Sequence, residues 1–245
     1  MTPTDTTAGR ARGVSPVAPS GRRLPGPMGI VALFGGSLLC LAAAIGLAVM
    51  VHARWAALLD ADLAVDTAIH TWVRDQQVIL FWAKLQSWTG SPVAVAALTS
   101  LIVVGLLATR RPGPAAYLTA TAVGGAVLSE VLKDLVARQR PVWLDPLWSA
   151  EGFSFPSGHS LAGITNWFVY GVLVLYLVAG RRGAVLGSAL MVWGVLMAPS
   201  RLVLGVHWPS DVVAGWLLGF GWVAAVSAGA LLLLRHREAA RAEPA

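Results

Sequence analysis

Charge is scarce in this sequence. Only 12% of its residues are Asp, Glu, Lys or Arg, against about 25% in an ordinary soluble domain, while 56% are hydrophobic and the mean hydropathy is +0.69. Those values exclude a soluble globular class and point to a membrane. Cysteine is almost missing too. Cys40 stands alone inside an apolar run, which excludes an intrachain disulfide and any cysteine-based metal centre. No internal repeat is evident, so a solenoid or repeat array is excluded as well. The few charges sum to +6. In a soluble protein that excess would raise the question of nucleic acid. Here the cations cap apolar segments, so they read as topology signals, and no nucleic-acid partner is expected.

What is present is a series of apolar runs. Residues 1–27 are rich in Pro, Gly, Ser, Thr and Arg and read as a disordered cytoplasmic tail. Arg22-Arg23 before an apolar run allows a twin-arginine export signal, but a cytoplasmic anchor is favoured. Residues 28–51 exceed the core of a signal peptide and suit a first span. Further runs occupy 93–108, 115–131, 161–179, 184–198 and 212–234. The expected fold is therefore all-α, a six-span transmembrane bundle over 28–235 with a short cytoplasmic tail at 236–245. Between spans 1 and 2, residues 53–90 mix Asp60, Asp62, Asp66, Arg74, Asp75 and Lys84 with Trp72, Trp82 and Trp88. This segment reads as interfacial helix, with His70 a surface or packing residue.

Arg110-Arg111, Arg181-Arg182 and Arg235/Arg237 follow the second, fourth and sixth spans. With Arg10, Arg12, Arg22 and Arg23 ahead of the first span, the positive-inside rule places both termini in the cytoplasm. Segments 133–159 and 200–211 then face the extracytoplasmic side of a bacterial plasma membrane.

Those two segments hold the chemistry. Lys133, Arg140 and Arg201 suit the equatorial oxygens of a transferring phosphoryl group, where catalysis is mainly positioning and charge stabilisation. Ser157 and the Gly158 amide precede the fourth span, whose N-terminus would face an anion. His207 and Asp211 are four residues apart, so the carboxylate can hold one imidazole nitrogen and leave the other free to attack phosphorus. His159 is then available as general acid. Each piece has a bland reading. Terminal cations snorkel to headgroups, Pro-Ser-Gly is an ordinary turn, and His–Asp at this spacing suits half a metal site. The set converges on one face, which favours a functional pocket. A divalent metal is disfavoured by the surrounding cations.

The motifs Lys133-x6-Arg140-Pro141, Pro156-Ser157-Gly158-His159 and Ser200-Arg201-x5-His207-x3-Asp211 closely resemble the three signatures of the type 2 phosphatidic acid phosphatases, or lipid phosphate phosphatases, in order and without departure. The resemblance covers residues 28–235. It implies a phosphohistidine at His207 oriented by Asp211, protonation of the leaving group by His159, and a phosphate site of Lys133, Arg140, Ser157, Gly158, His159 and Arg201, with no cofactor or metal. Its implied partners are the bilayer and a membrane lipid phosphate or diphosphate, with polyprenyl diphosphate, phosphatidic acid and phosphatidylglycerol phosphate as candidates.

Around that set, Glu130 is placed either to pair with Lys133 or to sit idle at the interface. Arg138 is placed to contact lipid headgroups, or less favourably a second phosphate. Trp143, Leu144, Leu147 and Trp148 are expected along the substrate's approach. The competing functions are a vanadate-dependent haloperoxidase, which is soluble where this chain is not, and a non-enzymatic lipid-binding or transport protein, which the complete histidine and aspartate set disfavours.

Overall fold

The structure is a computed structural model that describes residues 17–242. The rest of the expected disordered tail, residues 1–16, and residues 243–245 lie outside the described residues. Helices α1 (Pro27–His52), α2 (Ala56–Val73), α3 (Gln77–Thr89), α4 (Pro92–Ala108) and α5 (Pro112–Val136) precede a long loop. After it, α6 (Gly158–Ala162), a π-helical segment (Gly163–Phe168) and α7 (Val169–Leu177) run on as one rod, followed by α8 (Gly180–Val203) and α9 (Pro209–Ala242). Five of these rods are long and apolar enough to cross a membrane: α1, α5, Gly158–Leu177, α8 and α9. Helices α3 and α4, bent by 56° at their junction, are long and apolar enough only when taken together, which brings the number of spans to five or six among the described residues. The expected interfacial segment is thus α2 plus α3, and α3 also extends the second span.

Local sequence sets the boundaries. Proline occupies the first turn of α1, α4 and α5, where its missing N–H costs no helical bond. Ser91 caps α4 by accepting from the Ala94 amide. The long loop starts where Ala137 turns left-handed at φ 50°. Leu118, Ile164, Val169, Tyr170, Leu173 and Val223 form a buried apolar core, while Val31, Leu38, Leu101, Val104 and Leu233 point outward. Such outward apolar faces suit lipid contact. Inside the bundle Thr99 donates to Asn166 Oδ1 at 3.1 Å and bonds Tyr170 Oη at 2.6 Å, so polar groups fasten α4 to the rod. Gly163 and Gly194 let the rod and α8 touch. A Cβ on either would stand 2.2 or 2.3 Å from the other's carbonyl oxygen.

Helix direction defines two ends. The C-termini of α5 and α8 and the N-termini of the rod and α9 share one end. At the other, Arg235 near the end of α9 donates to Pro25 O, and Ser20 N donates to Tyr176 O beside the end of α7. Residues 17–26 form a tight turn with Ala18 buried, where composition had suggested a disordered tail.

Candidate active site

The end of the bundle where α5, α8 and the rod meet α9 gathers every residue that the sequence motifs single out. His207 lies in the short connection between α8 and α9 and is 2% exposed. Its Nε2 is 2.9 Å from Arg140 Nη1. A guanidinium can only donate, so Nε2 carries the lone pair and Nδ1 the proton. Nδ1 faces Asp211 Oδ2 at 3.5 Å, longer than a hydrogen bond. Burial, and then the charges of Arg140, Arg201 and Lys133, hold the His207 imidazole well below the usual histidine range. It is a neutral base with its free nitrogen turned toward cations, which suits attack on an anionic phosphorus centre.

Arg140 holds the surrounding loops together. It donates to the carbonyls of Glu151, Gly152 and Phe153 on one side and to Val206 O at 2.8 Å on the other. Burial pulls its guanidinium below the usual arginine range, and Asp211 opposes that shift. Ser157 is fully buried, donates its amide to Asp211 O at 3.0 Å, and caps the rod by accepting from Ser160 N. At Gly158 a Cβ would stand 3.4 Å from Ser129 Oγ and 3.6 Å from Lys133 Nζ, filling the space between them. Lys133 in turn pairs at 2.7 Å with Glu130, whose side chain is exposed.

His159 and Arg201 meet on a residue outside all three motifs. The Ser87 carbonyl accepts from His159 Nε2 at 3.0 Å, and Ser87 Oγ accepts from Arg201 Nη1 at 2.6 Å. Because a carbonyl only accepts, His159 carries its proton on Nε2. The break between α3 and α4 packs against the same ring, for a Cβ on Gly90 would lie 2.7 Å from His159 Cδ2.

Three side chains depart from expectation. Arg138, expected at lipid headgroups, turns inward and commits its guanidinium to two acids. It is nearly buried and bonds Asp211 Oδ1 at 2.7 Å and Asp62 Oδ2 at 2.6 Å. Trp143 fastens the loop, stacking on His70 at 4.0 Å between ring centroids and donating to Gly205 O. His70 is therefore a packing residue, and buried. Leu147 packs beside the Val73–Leu80–Val206 cluster, leaving Leu144 and Trp148 as the exposed pair.

Ser87 and Asp62 are the residues that motif reading misses. Asp62, Asp66 and His70 recur every fourth position and form the buried stripe of α2. That polar period is the signal that α2 faces protein along one side.

Comparison with known proteins fits this geometry. Residues 113–232 match the model of the PAP2 superfamily. This chain carries a PAP2 superfamily domain. Among curated PAP2-type relatives, undecaprenyl-diphosphatase from Sulfolobus acidocaldarius is 39% identical over 106 residues, 41% of this chain and 47% of that one. Phosphatidylglycerophosphatase B from Escherichia coli K12 is 35% identical over 97 residues, 38% of this chain and 37% of its own length. Each match thus spans less than half of the relative. The PAP2 architecture also matches the crystal structure of a transmembrane PAP2 type phosphatidylglycerolphosphate phosphatase from Bacillus subtilis. The TM-score is 0.68 at 25% identity, over 78% of this chain and 93% of that one. The chain is a multi-pass, helical membrane protein. Asp62 and Ser87 both lie before the stretch that the family model covers.

Proposed function

We propose that this chain is an integral membrane phosphatase that hydrolyses a lipid phosphate or diphosphate through a phosphohistidine at His207, without a metal ion. The observation that carries the reading is the fixed imidazole of His207, its Nε2 lone pair held among three cations and its Nδ1 proton facing Asp211. In the first step Nε2 forms a bond to phosphorus and the bond from phosphorus to the leaving oxygen breaks. Arg140, Arg201, Lys133, Ser157 and the Gly158 amide take the charge on the equatorial oxygens. Asp211 offsets the positive charge that develops on the imidazole. His159 keeps its Nε2 proton on Ser87 O, so it acts as the acid only in its doubly protonated form: the second proton arrives with the protonated phosphate of the substrate, is held at Nδ1 and passes from there to the leaving oxygen. Water then attacks the phosphohistidine, giving its proton to His159, and His207 is restored.

The names of its relatives support a polyprenyl diphosphate or phosphatidylglycerol phosphate substrate, with polyprenyl diphosphate favoured if the site faces outward. The reading places the domain at residues 28–235, both termini in the cytoplasm and the site at the extracytoplasmic face of a bacterial plasma membrane. Support comes from the arginines after α4, in the first turn of α8 and near the end of α9, all at the bundle end opposite His207.

Phosphate release by the purified protein in detergent, with chelator present, tests the reading on undecaprenyl diphosphate, undecaprenyl phosphate, phosphatidic acid and phosphatidylglycerol phosphate. Turnover is expected on at least one of them, surviving chelator and lost in His207→Ala. Turnover that persists in that variant, or that a divalent ion must restore, would count against it.

A further inference from the structure

The acid that faces His207 is itself held from behind. Asp211 Oδ2 accepts from the Trp208 amide at 2.9 Å and Oδ1 accepts from Arg138 at 2.7 Å. The second nitrogen of Arg138 goes to Asp62 Oδ2 at 2.6 Å. Ser210 closes the group. Its amide donates to Asp62 Oδ1 at 2.9 Å, its hydroxyl to Asp62 Oδ2 at 2.5 Å, and Arg138 also reaches that hydroxyl at 2.7 Å. The Arg138 guanidinium lies over the Trp208 ring. Asp62, Arg138 and Asp211 thus form a continuous hydrogen-bonded line of acid, base and acid, which ends with Asp211 Oδ2 facing His207 Nδ1 at 3.5 Å. Its two acids are 3% and 0% exposed.

We infer that Asp62, on α2, is a positioning residue for phosphoryl transfer, acting through Arg138 to set the orientation and effective charge of Asp211. This rests on the phosphatase reading above. The reason is electrostatic. When Nε2 bonds to phosphorus, the ring keeps its Nδ1 proton and becomes positive, and Asp211 must offset that charge. With Arg138 alone behind it, Asp211 would be largely neutralised by a guanidinium at hydrogen-bond distance. Asp62 takes up half of that guanidinium and returns the negative field to His207. The fork geometry matters as well, because a planar guanidinium can bond two carboxylates and hold both in fixed orientation.

A purely architectural role for the same contacts would be to dock α2. Buried ion pairs are poor at that, since desolvation offsets most of their attraction. The apolar cluster of Val73, Leu80, Val203, Leu204 and Val206 already seats the α2–α3 segment against α8. What that cluster cannot supply is a charge two bonds removed from the nucleophile's partner.

The test is a kinetic comparison of wild type, Asp62→Asn, Arg138→Gln and the double variant, in detergent, on whichever lipid phosphate the wild type turns over. Asp62→Asn keeps an oxygen for the Ser210 amide and removes the charge, so it should fold, with a melting temperature lowered by the loss of one partner of a buried ion pair. We expect its kcat to fall by about ten- to a hundredfold, in the range of misplaced catalytic groups, with KM within about twofold of wild type. Formation of the acid-labile phosphoenzyme should slow by the same factor in a single turnover. The double variant should be no slower than Arg138→Gln alone, because both lie on one line. An unchanged kcat in Asp62→Asn, a loss confined to KM, or losses that multiply in the double variant would overturn the inference while leaving the phosphatase intact. A wild type without phosphatase turnover would overturn the phosphatase reading itself, and the role of Asp62 with it.

Discussion

Arg140 Nη1 and His207 Nε2 stand 2.9 Å apart, so the proposed nucleophilic nitrogen and a phosphate-binding cation touch before any substrate arrives. The contact fixes the tautomer and turns the lone pair into the cationic pocket. Arg140→Lys should lose both effects, since one ammonium cannot bond the 151–153 carbonyls and the 206–207 segment together. We expect kcat/KM to fall by about a hundredfold or more, the scale of removing a preorganised charge-stabilising donor. Initial rates across substrate concentration check this, and near wild-type values would count against it.

Ser87 should matter through Arg201 and not through His159. Ser87→Ala keeps the carbonyl that holds His159 and removes the hydroxyl that holds Arg201. A hydrogen bond to a charged group contributes about 1.5–3 kcal/mol. Inhibition by inorganic phosphate should therefore weaken by about tenfold, with kcat less affected. An inhibition constant equal to wild type would show that Arg201 is held by other means.

Gly158→Ala probes the space between Lys133 and Ser129. A methyl there meets both at ordinary contact distance, so the fold should survive, with the melting temperature within a few degrees. The added carbon occupies room that a phosphate oxygen needs, so KM should rise at least severalfold. A lowered melting temperature with unchanged KM would place the phosphate elsewhere.

Asp66 gives a pH dependence of known sign. It is fully buried on α2, both its oxygens lack partners, and burial, followed by Asp211 and Asp62, raises its carboxyl to about 7. The native state therefore binds a proton that the unfolded chain gives up near 3.8. Stability from this group is present at low pH, declines as pH rises from about 4, and is lost once pH passes about 7. Asp66→Asn resembles the protonated acid, so its melting temperature should lie nearest to wild type at about pH 4 and exceed it by a growing margin up to about pH 8. A constant difference across that range would refute the assignment.

The three motifs made most of this site legible in the sequence, because each packs its functional residues within a few positions of a helix end. His207, Asp211 and Arg140 come together as their spacing and the span order suggest. What stayed hidden has physical causes. Ser87 holds His159 through a main-chain carbonyl, which every residue type possesses. Asp62 meets Arg138 across 76 positions, with no local spacing to announce the pair. Arg138 itself looked like a headgroup contact because a cation beside Arg140-Pro141 near a membrane is ordinarily exposed. The polar stripe of Asp62, Asp66 and His70 was readable as a helical period, yet amid five other charges it resembled a solvated interfacial face. The apolar runs, by contrast, marked the starts of α1, α4 and α5 to within three residues.

The bonds of Arg140 also set an order of assembly during synthesis. Its partners lie at 151–153, made soon afterwards, and at 206–207, made only after α8. A nascent chain that stops short of α9 already carries Lys133, Arg140, Arg201 and His207 and lacks Asp211. On the proposed reading, the nucleophile is thus made before the acid that faces it, and the site closes only when α9 packs against α5 and the rod.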